Sequence, residues 1–299
     1  MRDRNLFAGA SALRSILVLT AAAVAVLAVP AAAQDAPAGP PAPPPGTVAA
    51  DTFTVGLAAV SLPSYEGSDN NNILPAPGAL ISYKGFALTI LGTRGSLDLI
   101  RNTAGPTWDV QAGPVVAFNL DRSRRKSIDD RRVEALGDRN VGVELGGYVG
   151  IGKTGVITSE YDQFNVTLSY RYDVANAHES GIWQPSVTYF TPLSQKAAVG
   201  IFATAEHVGD KYARYYYSVT PTGTVASGLP TFNADGGWKN VQFGVLGGYS
   251  LTGDLLHGWK IVAGGTYSRL MNDFKDSPIV SIAGDRDQWL GTVGLAYTF

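Results

Sequence analysis

Along most of this chain, large apolar residues recur at every second position. The last segment shows it most clearly. Trp289, Gly291, Val293, Leu295, Tyr297 and Phe299 fall on one face; Leu290, Thr292, Gly294, Ala296 and Thr298 fall on the other. A period of two is the signature of a strand. A large apolar face opposed to a small or weakly polar one fits a strand between lipid and a barrel interior. The pattern recurs through 240–249, where Val241, Phe243, Val245, Gly247 and Tyr249 share a face, and through 108–120, 141–151 and 164–172. In the last three, alternation puts Asp109, Glu144 and Arg171 on the inner face. A cation facing mid-membrane lipid costs about 2–4 kcal/mol and a carboxylate somewhat less, which fixes inside from outside.

Similar segments lie near 52–61, 76–84, 86–100, 107–120, 139–151, 161–173, 181–191, 196–207, 211–220, 238–250, 257–270 and 288–299. The chain therefore reads as all-β: a transmembrane, antiparallel, up-and-down β-barrel over residues 51–299, with about 12 strands and a range of about 10–14. Gly92 and Gly95 offer a break within 86–100, and the polar, aromatic 211–220 stretch would also serve as loop. A soluble β-sandwich alternates too. Against it stand aromatics at segment ends, such as Trp108, Tyr172, Trp183, Trp238, Trp259, Trp289 and Tyr297, as in membrane-interface girdles. Several segments also exceed the ~5–6 residues of a usual strand. The connections at 121–140, 219–237 and 273–287 are long, and those near Gly85 and Gly253 short. Long loops face outward in such barrels, and short turns face the periplasm.

The N-terminus carries a different pattern. Arg2, Arg4 and Arg14 precede an uncharged apolar run from Ile16 to Val29, then Ala31, Ala32 and Ala33. This is the three-part plan of a secretory signal over residues 1–33, cleaved after Ala33 and exported through the Sec pathway. The run is shorter than the ~20 residues a spanning helix needs. Residues 34–50, including DAPAGPPAPPPG, are too Pro-rich for a packed core and read as a periplasmic linker.

Composition narrows the chemistry. The chain holds no Cys and three His, so thiolate sites and a His-rich metal site are excluded. Removing the first 33 residues takes three Arg and Asp3 from 23 basic and 25 acidic residues, leaving −4. Without a basic field, nucleic acid is not an expected partner. No G-x-S-x-G element occurs, and His207 beside Glu206 reads as a surface or interfacial residue near a strand end, so no enzymatic activity and no cofactor are expected. Asp273, Asp276, Asp285 and Asp287 lack the spacing of an EF-hand and read as a solvated acidic loop. The run Arg122, Arg124, Arg125, Lys126, Arg131 and Arg132 is interleaved with acids. It reads as a solvated loop whose cations can also bridge lipopolysaccharide phosphates.

Four elements remain. Residues 62–77 read LPSYEGSDNNNILPAP, a turn-rich excursion in which Tyr65, Glu66, Gly67 and Ser68 sit at the rim. ARYYYSVTP at 213–221, FNADGGW at 232–238 and YSRLMNDFKDSPIV at 267–280 follow. The ordered set resembles the MipA/OmpV family of outer-membrane proteins. It matches a Pro-x-Tyr-x-Gly-Ser segment at Pro63, Tyr65, Gly67 and Ser68, then Pro-x-Pro at Pro75 and Pro77. It matches a Tyr-Tyr element at Tyr215 and Tyr216, and an Asp-Ser-Pro-Ile-Val element through Asp276, Ser277 and Pro278. The resemblance spans about residues 52–299. The charged 121–140 insert and the Pro-rich 36–46 stretch fall outside it.

The resemblance implies a non-enzymatic barrel in the outer membrane, most plainly a cell-envelope scaffold for a lytic murein transglycosylase and a bifunctional penicillin-binding protein. Other members are linked to adhesion or to passage of solutes and antibiotics, so a pore for small solutes or a surface adhesin stands as the alternative. The residues leave the lumen open to either reading: Asp109, Glu144 and Arg171 line a wet pathway, or pair and plug it. The ending Val293, Leu295, Tyr297 and Phe299 resembles the signal recognised by the outer-membrane assembly machinery.

Overall fold

A computed structural model describes residues 51–103 and 108–299. The signal segment 1–33 and the 34–50 linker lie outside them. Twelve antiparallel strands form a closed barrel: β1 Thr52–Pro63, β2 Asn71–Tyr83, β3 Phe86–Leu91, β4 Arg94–Asp98, β5 Trp108–Asn119, β6 Gly142–Thr154, β7 Gln163–Asp173, β8 Gly181–Pro192, β9 Ala197–Val208, β10 Gly237–Ser250, β11 Gly258–Leu270 and β12 Asp287–Thr298. Each pairs with its neighbours in sequence, and β1 closes on β12 from Thr54↔Thr298 to Ser61↔Gly291.

Closure is what a lipid environment demands, since no water reaches an open edge to satisfy backbone groups. Alternation then sorts the faces. Val245, Val293 and Leu295 are exposed outward, whereas Thr54, Gln242, Leu290 and Thr298 are buried inward. Exposed aromatics form two belts: Tyr172, Trp183, Trp238 and Trp289 at one end, and Trp108, Tyr249, Trp259 and Phe299 at the other. The lumen is partly filled by its own side chains. A Cβ on Gly244 would lie 2.2 Å from the Phe202 ring, so only glycine leaves that ring its place.

The expected count of 12 is met, by a different set of strands. The 86–100 segment breaks into β3 and β4 around a tight turn at Gly92, where φ is +53°. The 211–220 segment is not a strand. It forms helix α2, Asp210–Tyr217, because Tyr212 and Tyr216, and Ala213 and Tyr217, meet at i,i+4 and bury together. The 62–77 excursion is shorter than its turn residues imply: only 64–70 leave the sheet, and β2 already begins at Asn71. Pro278 does not lead into a strand. It sits at the first turn of a short helix after the Ser277 cap, where its missing N–H is no loss.

Apart from the two-residue β3–β4 turn at 92–93, the five connections at the β1–β2 end are long: 64–70, 120–141, 174–180, 209–236 and 271–286. They carry the other helices, α1 Arg131–Ala135, α3 Pro221–Ser227, α4 Asn272–Asp276 and α5 Pro278–Ser281. The opposite end has tighter turns, such as 84–85 and 193–196, and receives both Thr52 and Thr298. By the long-loop rule that end faces the periplasm.

Val293 faces lipid near the middle of β12, whereas its neighbour Thr292 faces the lumen. We expect Val293→Arg to destabilise the barrel by about 2–4 kcal/mol, and Thr292→Arg by clearly less. Urea unfolding in lipid vesicles, followed by heat-modifiable gel mobility, measures both. Equal losses would contradict the assignment of faces.

Candidate functional site

The long loops pack into a lid with two buried apolar clusters. One joins Tyr212, Ala213, Tyr216 and Tyr217 of α2 to Phe274 and Val280, against Ile182, Val208 and Leu270 of the wall. The second joins Tyr65, Ile128, Val133, Val219, Leu229 and Ile279, so that four loops meet in it.

The family-like residues make this junction. Tyr65 is buried, and its hydroxyl donates to the Ala283 carbonyl. Gly67 holds φ +100°, and a Cβ there would lie 2.4 Å from Val280 Cγ2; both facts exclude a side chain. Its carbonyl accepts from the Asp285 N–H at 2.8 Å. The Ser68 carbonyl accepts from Gln288 Nε2 at 2.8 Å. Ser277 Oγ donates to the Tyr217 carbonyl at 2.6 Å and also caps α5. The Tyr215 hydroxyl accepts from the Asn140 N–H at 2.8 Å. Asp276 is exposed; its Oδ1 meets Lys275 Nζ at 3.2 Å and its carbonyl accepts from Ser281 Oγ at 3.3 Å.

Below the lid, charges run in an alternating chain. Glu66 Oε1 meets Lys239 Nζ at 2.7 Å, and Lys239 meets Glu206 Oε2 at 2.6 Å. Glu206 Oε1 meets Arg171 Nη2 at 3.1 Å, and Arg171 Nε meets Glu144 Oε2 at 2.9 Å. His178 Nε2 lies 3.5 Å from Glu144 Oε1, with its ring against Tyr212 and Tyr216. Arg171 Nη1 donates to Gln184 Oε1 at 2.6 Å, and Arg94 donates to the same oxygen. Glu144 and Arg171 thus stand together in the lumen. Asp109 stands apart, accepting from Gln111 Nε2 at 2.6 Å.

Sequence reasoning did not single out Arg94, His178, Gln184 and Lys239. Strict alternation sends Lys239 outward with Val241. A bulge between Trp238 and Asn240 re-aims it, and Lys239 is completely buried. Glu206 was noticed only as the neighbour of His207, whose ring instead packs edge-on against Trp238. The basic run is also not uniform. Arg125 is exposed, but Arg122 is buried under the lid and donates to the Tyr216 carbonyl.

The closed strand cylinder, its two aromatic belts and its apolar outer face define a bacterial outer-membrane β-barrel. The sequence pattern of the MltA-interacting protein MipA family matches residues 55–299, and the chain belongs to that family. No curated protein matches the chain in sequence. Solved structures similar to it include the outer-membrane channel DcaP of Acinetobacter baumannii, 8% identical over 83% of this chain and 96% of that one, with a TM-score of 0.37. Another is an outer-membrane channel of Pseudomonas putida F1, 12% identical over 89% and 100%, with a TM-score of 0.38. The NalP translocator domain of Neisseria meningitidis is 11% identical over 83% and 87%, with a TM-score of 0.33.

Two tests follow from the buried charges. Removing one member of a buried ionic set leaves its partners uncompensated, at about 3–5 kcal/mol. We expect Lys239→Ala to cost that much, because Glu66 loses its cation and Glu206 is left with Arg171 alone. Pairing Lys239→Met with Glu206→Gln should recover part of the loss. An unchanged urea midpoint for Lys239→Ala would refute the chain's structural role.

Asp121 in the lid gives a pH test. Burial pushes its carboxyl up to about 6, against the pull of Arg122. A carboxyl raised above its unfolded value of 3.8 gives stability that is fully present below that value and is lost as pH rises through about 6. Hydrogen exchange across 120–141, corrected for intrinsic rates, should therefore show a tighter lid at about pH 5 than at pH 7. Asp121→Asn should flatten the difference while keeping the acceptor for the Glu66 N–H.

Proposed function

We propose that the protein is a non-conducting, non-catalytic barrel that anchors murein-remodelling enzymes at the outer membrane, a lytic transglycosylase foremost and a bifunctional penicillin-binding protein with it. The observation that supports this reading is the paired charge chain beneath the packed loops of the outer end. Glu66, Glu206 and Glu144 engage Lys239 and Arg171 instead of lining a wet path, beneath a lid with a buried core. The family description, MltA-interacting protein, supports a murein transglycosylase as partner.

The partner would meet the periplasmic end. Ile157 and Leu193 are 71% and 66% exposed in turns there, apolar positions suited to a protein contact. The Pro-rich 34–50 segment would offer such a partner a second point of attachment. In this reading Val293, Leu295, Tyr297 and Phe299 carry the signal for the assembly machinery. On the opposite face, exposed Arg125 and Arg131 would meet lipopolysaccharide phosphates.

Affinity capture of the tagged barrel from gently solubilised envelopes tests the partnership. We expect a lytic transglycosylase and a penicillin-binding protein in excess over an unrelated-barrel control, with loss of both from an Ile157→Asp/Leu193→Asp variant. Absence of both enzymes from the wild-type capture would end the scaffold reading. In planar bilayers the wild type should be silent, whereas replacing 210–235 with a short Gly-Ser link should give conductance. Steady ion flow through the wild type would restore the pore.

A further inference from the structure

The barrel wall is not of uniform height. β3 and β4 hold six and five residues, where β2 and β5 hold 13 and 12. β2 pairs with β3 only from Gly78 to Tyr83, while its 71–77 portion pairs with β1 alone. Above the β3–β4 turn no strand stands between β2 and β5. The notch is bounded below by Gly92 and Thr93, on the β5 side by Phe118, and above by Ser127, whose carbonyl accepts from Asn72 Nδ2 at 3.2 Å.

The free edge of β2 is adapted to lipid. The Gly92 N–H donates to the Pro77 carbonyl at 2.8 Å, so the backbone of Pro77 faces the notch. Pro75, two residues along, faces the same way. Neither has an N–H, so the edge presents two fewer unpaired donors where each would cost several kcal/mol. Ile73, between Asn71 at the upper rim and the two prolines, is 76% exposed. The notch therefore opens at the depth of the outer leaflet, below the level of Trp289, whose carbonyl accepts from Asn71 Nδ2 at 2.8 Å.

Behind the notch lies a lumen cavity of about 170 Å³. One wall is apolar, built from Ala58, Val60, Leu62, Ala76, Leu80 and Leu91. The other carries Arg94, at the top of β4 beside the notch. Among the described residues no carboxylate comes within ion-pair distance of Arg94, and its Nε has no hydrogen-bond partner. One of its acceptors, Gln184 Oε1, is shared with Arg171, so two cations lean on one neutral oxygen. Glu144, which also lines the cavity, is engaged by Arg171, so Arg94 has no charged acceptor of its own.

We propose that the notch is a lateral portal, and that the cavity takes a single-chain anionic amphiphile from the outer leaflet. Its alkyl chain lies along the inner face of β1 and β2, and its carboxylate meets Arg94. This site is separate from the periplasmic face and does not depend on any enzyme partner.

The test is photolabelling of the full protein in phosphatidylcholine nanodiscs with a diazirine-tailed dodecanoate, the adducts being mapped by peptide mass spectrometry. Adducts are expected on the inward residues Val60, Leu62, Ala76 and Leu80. Dodecanoate should compete them away, and dodecyltrimethylammonium should not. Arg94→Gln should weaken competition by about tenfold, the scale of one charge-assisted hydrogen bond, and Arg94→Lys should restore part of it. Heat-modifiable mobility verifies that each variant is folded. Adducts confined to outward Leu57, Ile73 and Pro75 would mean annular lipid only and overturn the proposal. Equal competition by the cationic amphiphile, or an unchanged Arg94→Gln, would overturn the role of Arg94. If neither Arg94 variant folds, the wild-type adduct map and the two competitors still decide between site and surface.

Discussion

A backbone in lipid must satisfy its own polar groups, and most of this molecule follows from that constraint. It turns period-two segments into a closed cylinder and joins β1 to β12 near the chain's two described ends. It also explains an oddity that packing alone would not. A half-height hairpin at β3–β4 leaves one edge of β2 without a strand partner, and the two prolines on that edge carry no donor to leave stranded. A Pro-x-Pro that reads as turn chemistry in the sequence is an edge device in the fold.

The lumen meets a second form of the same constraint. Charged side chains drawn inward from lipid must find partners or water. Here they find one another in a chain that alternates in sign from Glu66 through Lys239, Glu206 and Arg171 to Glu144. Glu66 belongs to a loop and the other four to the wall, so the ion pairs also tie lid to barrel. Replacing such a set by apolar residues need not cost stability, whereas removing one member does. The arrangement therefore acts as a register pin. It sets where the 64–70 loop sits, and Tyr65 and Gly67 beside it then meet the 271–286 loop.

Much of this was legible in the sequence. Alternation located eleven of the expected segments on strands, because a lipid-facing strand has no freedom to place charge outward. The inward direction of Glu144 and Arg171 followed from the same argument. Three things were hidden. Register across strands decides which inward charges meet, and it is not written in any one segment. The bulge at Trp238 breaks the period just where Lys239 enters the lumen. The tyrosines of 212–217 have high strand propensity, and they become helix because burial at i,i+4 under the lid outweighs it.

The same hidden register separates the functional readings. Inward carboxylates and cations on different strands permit a wet pore or a plugged one, and their pairing distances support the plugged barrel proposed above. Contacts of 2.6–3.1 Å from Lys239 through Glu206 to Arg171 leave no room for a hydrated ion between them. On the proposed reading, an ion path through the outer end would break those pairs and loosen the buried clusters of the lid. The notch beside β2 needs no such change, since the lid reaches it only at its upper edge, through Ser127 on Asn72, and no strand pairing closes it. For this wall the easier way into the lumen is sideways, from the bilayer, and what enters that way has to be soluble in lipid.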